Sequence, residues 1–254
     1  MCPSDSVPGN MHAIQKRAVK LGIDLGRLPT HIAVIMDGNG RFATKQGFLR
    51  LWGHHQGYKT LKRVLLDAAN LGIGYLTVYG FSAENWRRPA DEVGGLMKLI
   101  EEASRYELAD LVKNNVRVRV IGRRHELPST LQDAVTEMEA RTAANTGIGF
   151  TLAINYGGRA EIVDAVRALM NRGIKAEDVT EESIKSALYD PCLPEPDLMI
   201  RTAGELRWSN FLIWQAAYAE LFVTDVTWPE FGEMQLLDAV RQYQTRVRKF
   251  GALS

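Results

Sequence analysis

The chain lacks the features that define several large classes. Its 254 residues include two cysteines, Cys2 and Cys192, far apart and without metal-ligand spacing, so neither a disulfide scaffold nor a zinc ribbon is expected. The N-terminus has no apolar core of signal-peptide type, and no run approaches the roughly 20 apolar residues that cross a bilayer. A cytoplasmic, reducing setting is the expectation. Charge of one sign is missing too: 31 Lys and Arg face 30 Asp and Glu. No global field draws the chain to nucleic acid, and none is expected as a partner; an anion site must come from local clustering. There is no G-x-x-x-x-G-K-[ST] and no G-x-G-x-x-G after a strand, which counts against P-loop and dinucleotide-binding enzymes. Internal repeats and low-complexity segments are absent.

What is present is an ordinary apolar fraction, 46%, arranged as short β-rich runs between longer segments of helical period. The runs are 31–36, 75–81, 116–122, 149–156 and 197–201, and the helices are expected near 53–70, 92–113, 129–144 and 158–171. Strands separated by helices of this length predict right-handed crossovers and a mostly parallel sheet flanked by helices, an α/β fold in one domain. Asn210 to Leu221 and Glu233 to Lys249 also read as helices. Met11 to Leu21 mixes apolar and basic residues as a short amphipathic helix does, which suits either a surface helix or peripheral membrane contact.

Ligands of parallel α/β sheets bind beyond the carboxyl ends of the strands, so the residues after each run carry the functional signal. "HIAVIM" runs into Asp37, Gly38, Asn39, Gly40 and Arg41; 75–81 is followed by Ser82, Asn85, Trp86, Arg87 and Arg88; 197–200 opens onto Arg201, Glu205, Arg207 and Ser209. Arginine presents a planar fork suited to phosphate, and glycines admit backbone N–H groups close to an anion. Several such loops at one sheet edge predict more than one phosphate group. Asp37 at a strand end could hold Mg²⁺, which takes one or two carboxylates and shares its other positions with water and phosphates. On the apolar side, the segment 92–112 carries a broad stripe interrupted by Gly94 and Gly95, read either as close helix packing or as room for an apolar ligand.

The motifs "HIAVIMDGNGRFA" (31–43), "GHHQGY" (53–58), "YGFSAENWRRP" (79–89), "NYGGR" (155–159), the stretch 197–221 and "WPEF" (228–231) resemble, in order and spacing, those of the cis-prenyltransferases, from about Pro29 to Gly251. The resemblance is to the bacterial undecaprenyl diphosphate synthase branch. It implies a Mg²⁺-dependent homodimeric transferase that adds isopentenyl diphosphate repeatedly to an allylic diphosphate, with a hydrophobic tunnel for the growing chain. The all-helical trans-prenyltransferases carry D-D-x-x-D motifs, and this chain has no adjacent aspartate pair. Residues 1–28 are then an N-terminal extension and 29–254 the catalytic domain.

Carried over by position, the resemblance makes Asp37 the metal and diphosphate carboxylate. Gly38, Asn39, Gly40, Arg41, Phe42, Arg50 and His54 would hold the allylic diphosphate. Arg201, Arg207 and Ser209 would hold isopentenyl diphosphate. Ser82 and Asn85 would assist proton loss, Trp86, Arg87 and Arg88 would lie on a closing loop, and Glu220 would help coordinate the metal across the dimer. Phe42 stands where tryptophan is usual, and Leu206 and Trp208 depart from the pattern beside the isopentenyl diphosphate arginines. Gly80, where bulky residues block the tunnel in short-chain members, favours a long product of C50 to C55, a glycan lipid carrier. The alternatives are a short- or medium-chain synthase, and a non-catalytic subunit of a heteromeric prenyltransferase; the latter typically lacks the first-motif aspartate that is present here.

Overall fold

A computed structural model describes residues 11–246. Six strands, β1 (His31–Ile35), β2 (Tyr75–Ser82), β3 (Arg117–Ile121), β4 (Gly149–Tyr156), β5 (Leu198–Arg201) and β6 (Glu220–Val223), form one sheet in the order β3-β4-β2-β1-β5-β6. Every pairing is parallel, and helices cover the sheet. Such central strands lose both faces to the core, which is why β1 is an unbroken apolar run after its first residue and all five of its residues are buried.

Nine helices are described: α1 (Ala13–Lys20), α2 (Asn39–Lys45), α3 (Arg50–Leu71), α4 (Ala90–Tyr106), α5 (Leu108–Lys113), α6 (Ser129–Thr142), α7 (Gly158–Asn171), α8 (Glu181–Lys185) and α9 (Glu233–Thr245). The expected strands and the helix over 158–171 appear where their patterns put them. Within the N-terminal segment, α1 docks by burying Ile14 and Ala18, and Gln15 bonds the carbonyl of Leu71. Residues 247–249 of the expected last helix lie outside the described residues.

Three expectations change. The segment 92–113 is two helices meeting at Glu107, whose N–H bonds Ala103 and whose carbonyl accepts from Leu111. Gly94 has nothing within 4 Å of a hypothetical Cβ, whereas one on Gly95 would meet Leu51 at 3.0 Å, so Gly95 serves close packing on α3 and Gly94 does not. The segment Asn210 to Leu221 is not a helix. Ser209, Asn210 and Leu212 take φ of 46°, 62° and 47°, left-handed values that no α-helix propagates. The chain instead winds through turns that bury Phe211, Leu212 and Ala216 against the sheet before entering β6.

Candidate active site at the carboxyl edge

The sequence after β1 turns sharply at Gly38, whose φ of 102° is left-handed and whose Cβ, if present, would lie 2.7 Å from Thr227 Cβ; only glycine meets both demands. The turn starts α2 at Asn39 and leaves Asp37 at the mouth of the strand. The Asp37 carbonyl accepts from Thr202 Oγ1 at 2.7 Å and from the Trp228 N–H at 2.8 Å. Its carboxylate receives Arg201 from the end of β5: Nε and Nη2 donate to Oδ2 at 3.0 and 2.7 Å. The Arg201 side chain is 2% exposed and that of Asp37 is 36% exposed. A buried guanidinium thus fixes a half-open carboxylate, a geometry that keeps one face of Asp37 available. The same guanidinium donates from Nη1 to Ser209 Oγ at 2.7 Å and to the Arg207 carbonyl, so one side chain ties together the residues for which the resemblance implies a role at the second diphosphate.

The remaining arginines are held by two carboxylates that sequence reasoning gave no role. Glu92 in the first turn of α4 meets Arg50 at 3.2 Å and Arg88 at 3.0 Å, with His54 at 3.7 Å. Glu205 pairs with Arg41 at 3.1 Å and with Arg207, which holds its carboxyl below the ordinary carboxylate range. One signal was available, the i,i+4 spacing of Arg88 and Glu92; the contacts to Arg50, His54 and Arg41 join separate segments. Internal carboxylates keep the guanidiniums extended and directed to the mouth, where a diphosphate can displace them.

Two buried polar atoms at the same place have no hydrogen-bond partner, Asn39 Oδ1 and His54 Nε2. Burial, with Arg88 next in size, pushes His54 down to about 4, so the imidazole is neutral at pH 7. Gly57 is needed here because a Cβ would strike Asn39 Oδ1 at 2.2 Å. Buried groups left unpaired are costly and mark where a polar ligand completes the site.

Behind the mouth lies a cavity of about 660 Å³, within the range that encloses a drug-sized ligand, about 300–1,000 Å³. Asp37, Asn39, His54, Ser82, Asn85, Arg88, Arg201, Arg207 and Ser209 line its mouth, so these expected site residues converge. Its body is apolar, with Leu61, Leu65, Leu99, Ile100, Phe150 and Leu152 among the lining side chains. Ser82 and Asn85 are tied by the bond from the Ser82 N–H to Asn85 Oδ1, 3.1 Å.

Other expected residues sit beside the cavity rather than on it. Gly40 packs under the Arg50 guanidinium, which a Cβ would meet at 2.7 Å. Phe42 stacks on Trp52 with ring centroids 5.6 Å apart. Trp86 donates to Asn155 Oδ1 at 2.8 Å and meets Phe81 edge-on. Tyr156 is core, its hydroxyl 2.5 Å from Glu161. The backbone N–H of Arg159 at the start of α7 bonds Asn210 Oδ1 at 2.9 Å. Glu220 opens β6, in register with Leu198, and pairs with Arg246 at 3.4 Å. Leu198 is in turn level with Ile32, so Asp37 lies about five residues further along the strand direction, roughly 16 Å at a strand rise of about 3.3 Å per residue, and the two carboxylates of one chain do not share an ion.

Among the described residues no group of three or more His, Cys, Asp and Glu could hold a metal, and no helix is long and apolar enough to cross a membrane. The residues at the mouth nonetheless fit Mg²⁺ shared with a ligand. A hard cation takes oxygen donors, and the mouth offers the Asp37 carboxylate and the unpartnered Asn39 Oδ1, leaving the other positions to phosphate and water.

Comparison with known proteins identifies the family. The chain is 48% identical over 226 residues to the isoprenyl transferase of Fusobacterium nucleatum subsp. nucleatum, a match spanning 89% of this chain and 97% of that protein. It is 46% identical over 232 residues to the isoprenyl transferase of Bacillus anthracis, covering 90% of each. Its fold is similar to that of lavandulyl diphosphate synthase from Lavandula x intermedia, crystallised with dimethylallyl diphosphate, with a TM-score of 0.85 at 38% identity over 88% of this chain and 98% of that one. It is also similar to a probable undecaprenyl diphosphate synthase from Campylobacter jejuni, with a TM-score of 0.75 at 31% identity over 89% of this chain and 99% of that one. Residues 35–251 match the family described as "Putative undecaprenyl diphosphate synthase", and the chain belongs to that family as a prenyl transferase.

Proposed function

We propose that the protein condenses isopentenyl diphosphate repeatedly with an allylic diphosphate, farnesyl diphosphate in particular, to give a long Z-polyprenyl diphosphate of C50 to C55 that serves as a glycan lipid carrier. The observation that carries this reading is a single cavity with an anion-binding mouth and an apolar body, matching a substrate with one charged and one isoprenoid end. The solved relative with dimethylallyl diphosphate supports an allylic diphosphate as one ligand.

In this reading Arg50, Arg41, Arg88, the α2 amides and His54 hold the allylic diphosphate, and Arg201, Arg207 and Ser209 hold isopentenyl diphosphate. Holding both anionic ends makes the encounter of allylic carbon and alkene effectively unimolecular. Guanidiniums already extended by Glu92 and Glu205 compensate the charge that develops on the departing diphosphate without reorganising. Mg²⁺, held by Asp37 with phosphate oxygens and water, would supply further positive charge to that leaving group. Ser82 and Asn85 face the same space and are placed to orient the group that takes the final proton; neither is a strong base, so a diphosphate oxygen is the acceptor. The protein acts as a homodimer in which Glu220 serves a second copy's site, working in the cytoplasm with its product handed to the inner face of the membrane.

The test is incubation of purified protein with Mg²⁺, farnesyl diphosphate and labelled isopentenyl diphosphate, with Asp37→Asn alongside. A ladder of products ending at C50 to C55, absent in the variant, supports the reading. A ladder that starts at C20 and stops before C50 replaces it with the short- or medium-chain alternative, and no incorporation with farnesyl diphosphate or with shorter allylic primers replaces it with the non-catalytic subunit.

A further inference from the structure

The apolar cavity has one polar stretch of wall. Tyr58, Lys62, Ser104 and Glu107 line it away from the mouth. Tyr58 and Lys62 stand one turn apart on α3, and Glu107 sits at the break between α4 and α5. Lys62 Nζ donates to Asp110 Oδ2 at 2.7 Å and lies 2.7 Å from Glu107 Oε2. The Tyr58 hydroxyl donates to Glu107 Oε1. One ammonium therefore fastens α3 to the helix break and to α5.

This wall is thin. The Lys62 side chain lines the cavity and is also 42% exposed to solvent, and that of Glu107 is 16% exposed. No residue of α5 is fully buried; Leu108 and Leu111 pack only partly against the core. The opposite walls are built from the sheet at Phe150 and Leu152 and from α6 at Met138, and close-packed elements of that kind resist displacement. Half-exposed ion pairs are weak fasteners by comparison.

The geometry points to Tyr58, Lys62 and Glu107 as a latch that sets product length by letting α5 yield outward from α3 as the isoprenoid chain fills the cavity. The inference rests on the polyprenyl reading above. A chain of 50 or more carbons is larger than the drug-sized ligand that suits a cavity of about 660 Å³, so a growing chain presses on the cavity walls. The wall that moves at least cost is the one held by exposed charges. Extension ends when a further unit would demand displacement of the packed walls. The ammonium itself disfavours contact with an alkyl chain, so an intact latch also discourages the chain from settling along that seam.

Two variants that keep side-chain bulk separate this role from simple lining. Lys62→Met removes both ion pairs, and Tyr58→Phe removes one hydrogen bond without changing the ring. Each is compared with the unaltered protein in the same assay with Mg²⁺, farnesyl diphosphate and labelled isopentenyl diphosphate. The expected result is a ladder extended by at least one C5 unit in Lys62→Met and shifted the same way, by less, in Tyr58→Phe. Identical ladders in all three proteins overturn the latch. The ladder of the unaltered protein tests the polyprenyl reading separately, because the latch is judged only on differences between proteins. Hydrogen exchange of the amides 107–113 in the full chain gives a readout independent of turnover: several-fold faster exchange in Lys62→Met, confined to that segment, supports the latch, and unchanged exchange overturns it.

Discussion

Two histidines are buried at opposite ends of this sheet, and burial pushes both down to about 4. His31, at the amino end of β1, has both ring nitrogens occupied: Nδ1–H donates to the Pro194 carbonyl at 2.6 Å, and Nε2 accepts from the Thr77 hydroxyl at 2.8 Å. His54, at the carboxyl edge, has no hydrogen-bond partner on Nε2, the nearest carboxylate oxygen being that of Glu92 at 3.7 Å. Burial and a depressed proton affinity are therefore shared by a structural residue and a site residue. What separates them is unmet hydrogen-bonding capacity: the amino edge is saturated and the carboxyl edge waits for a ligand. Asp37 extends the contrast, because Arg201 saturates one carboxylate oxygen while the side chain stays open to the cavity.

The change that breaks the carboxyl edge most severely is Asp37→Asn. It keeps the shape and an acceptor for Arg201 but removes the charge that would share a metal diphosphate. Prenyl transfer should fall by at least about a hundredfold, the scale of losing one preorganised electrostatic group, while the melting temperature shifts by a few degrees or less. Steady-state incorporation of labelled isopentenyl diphosphate together with thermal unfolding checks both halves.

At the amino edge the largest effect is on stability, with a definite sign in pH. His31 is neutral in the folded protein with its proton affinity lowered to about 4, whereas unfolded histidine titrates near 6.5. Its contribution is complete above about 6.5 and is lost as pH falls from there towards 4, because the unfolded chain takes up the proton first. The difference corresponds to about 3 kcal/mol at about 1.4 kcal/mol per unit. Denaturant midpoints at pH 7, 5.5 and 4.5 should converge between the unaltered protein and His31→Gln as pH falls, with activity per folded molecule retained at pH 7.

His54 should respond in the opposite way. His54→Ala should raise KM for the allylic diphosphate about tenfold or more, the scale of one hydrogen bond to a charged group, with a smaller loss of apo stability than at His31 because only a 3.7 Å contact with Glu92, not a hydrogen bond, is given up. Inorganic pyrophosphate places negative charge beside the ring, so its proton affinity should rise on binding while that of His31 stays put. An NMR titration of the two imidazoles, with and without pyrophosphate, reads this difference directly; equal responses would erase the distinction between the two ends.

Much of this contrast was legible in the sequence. The uninterrupted apolar run of β1 and its abrupt passage into Asp37 announced a buried parallel strand with a site at its carboxyl end, and the helical period over 158–171 matched α7 to the residue. Glycines misled in one place: Gly38 and Gly40 read as loop, yet the first is the left-handed entry to α2 and the second sits inside it under Arg50. The stretch after Ser209 carries a helical apolar period, but its left-handed residues are fixed by bonds to distant partners. Asn210 holds the first N–H groups of α7 and donates to Glu84 at 2.8 Å. The Arg50–Glu92, Arg41–Glu205 and Tyr58–Glu107 contacts were invisible for the same reason, since they exist only once separate segments meet.

The smallest effect is expected where the carboxyl edge has no polar atom to lose. Gly80 in β2 lines the cavity, and a Cβ there would come within 2.8 Å of Leu152 Cδ1. That atom is the end of a flexible side chain and can turn aside, so Gly80→Leu should fold. Its added carbons then occupy apolar volume beyond the diphosphate mouth. The first condensation touches only the mouth and should change by no more than severalfold, whereas the product ladder should end at least one C5 unit earlier. A shortened ladder with normal first-step kinetics separates anion recognition from chain accommodation within one cavity. An unchanged ladder would place the growing chain along a wall other than β2.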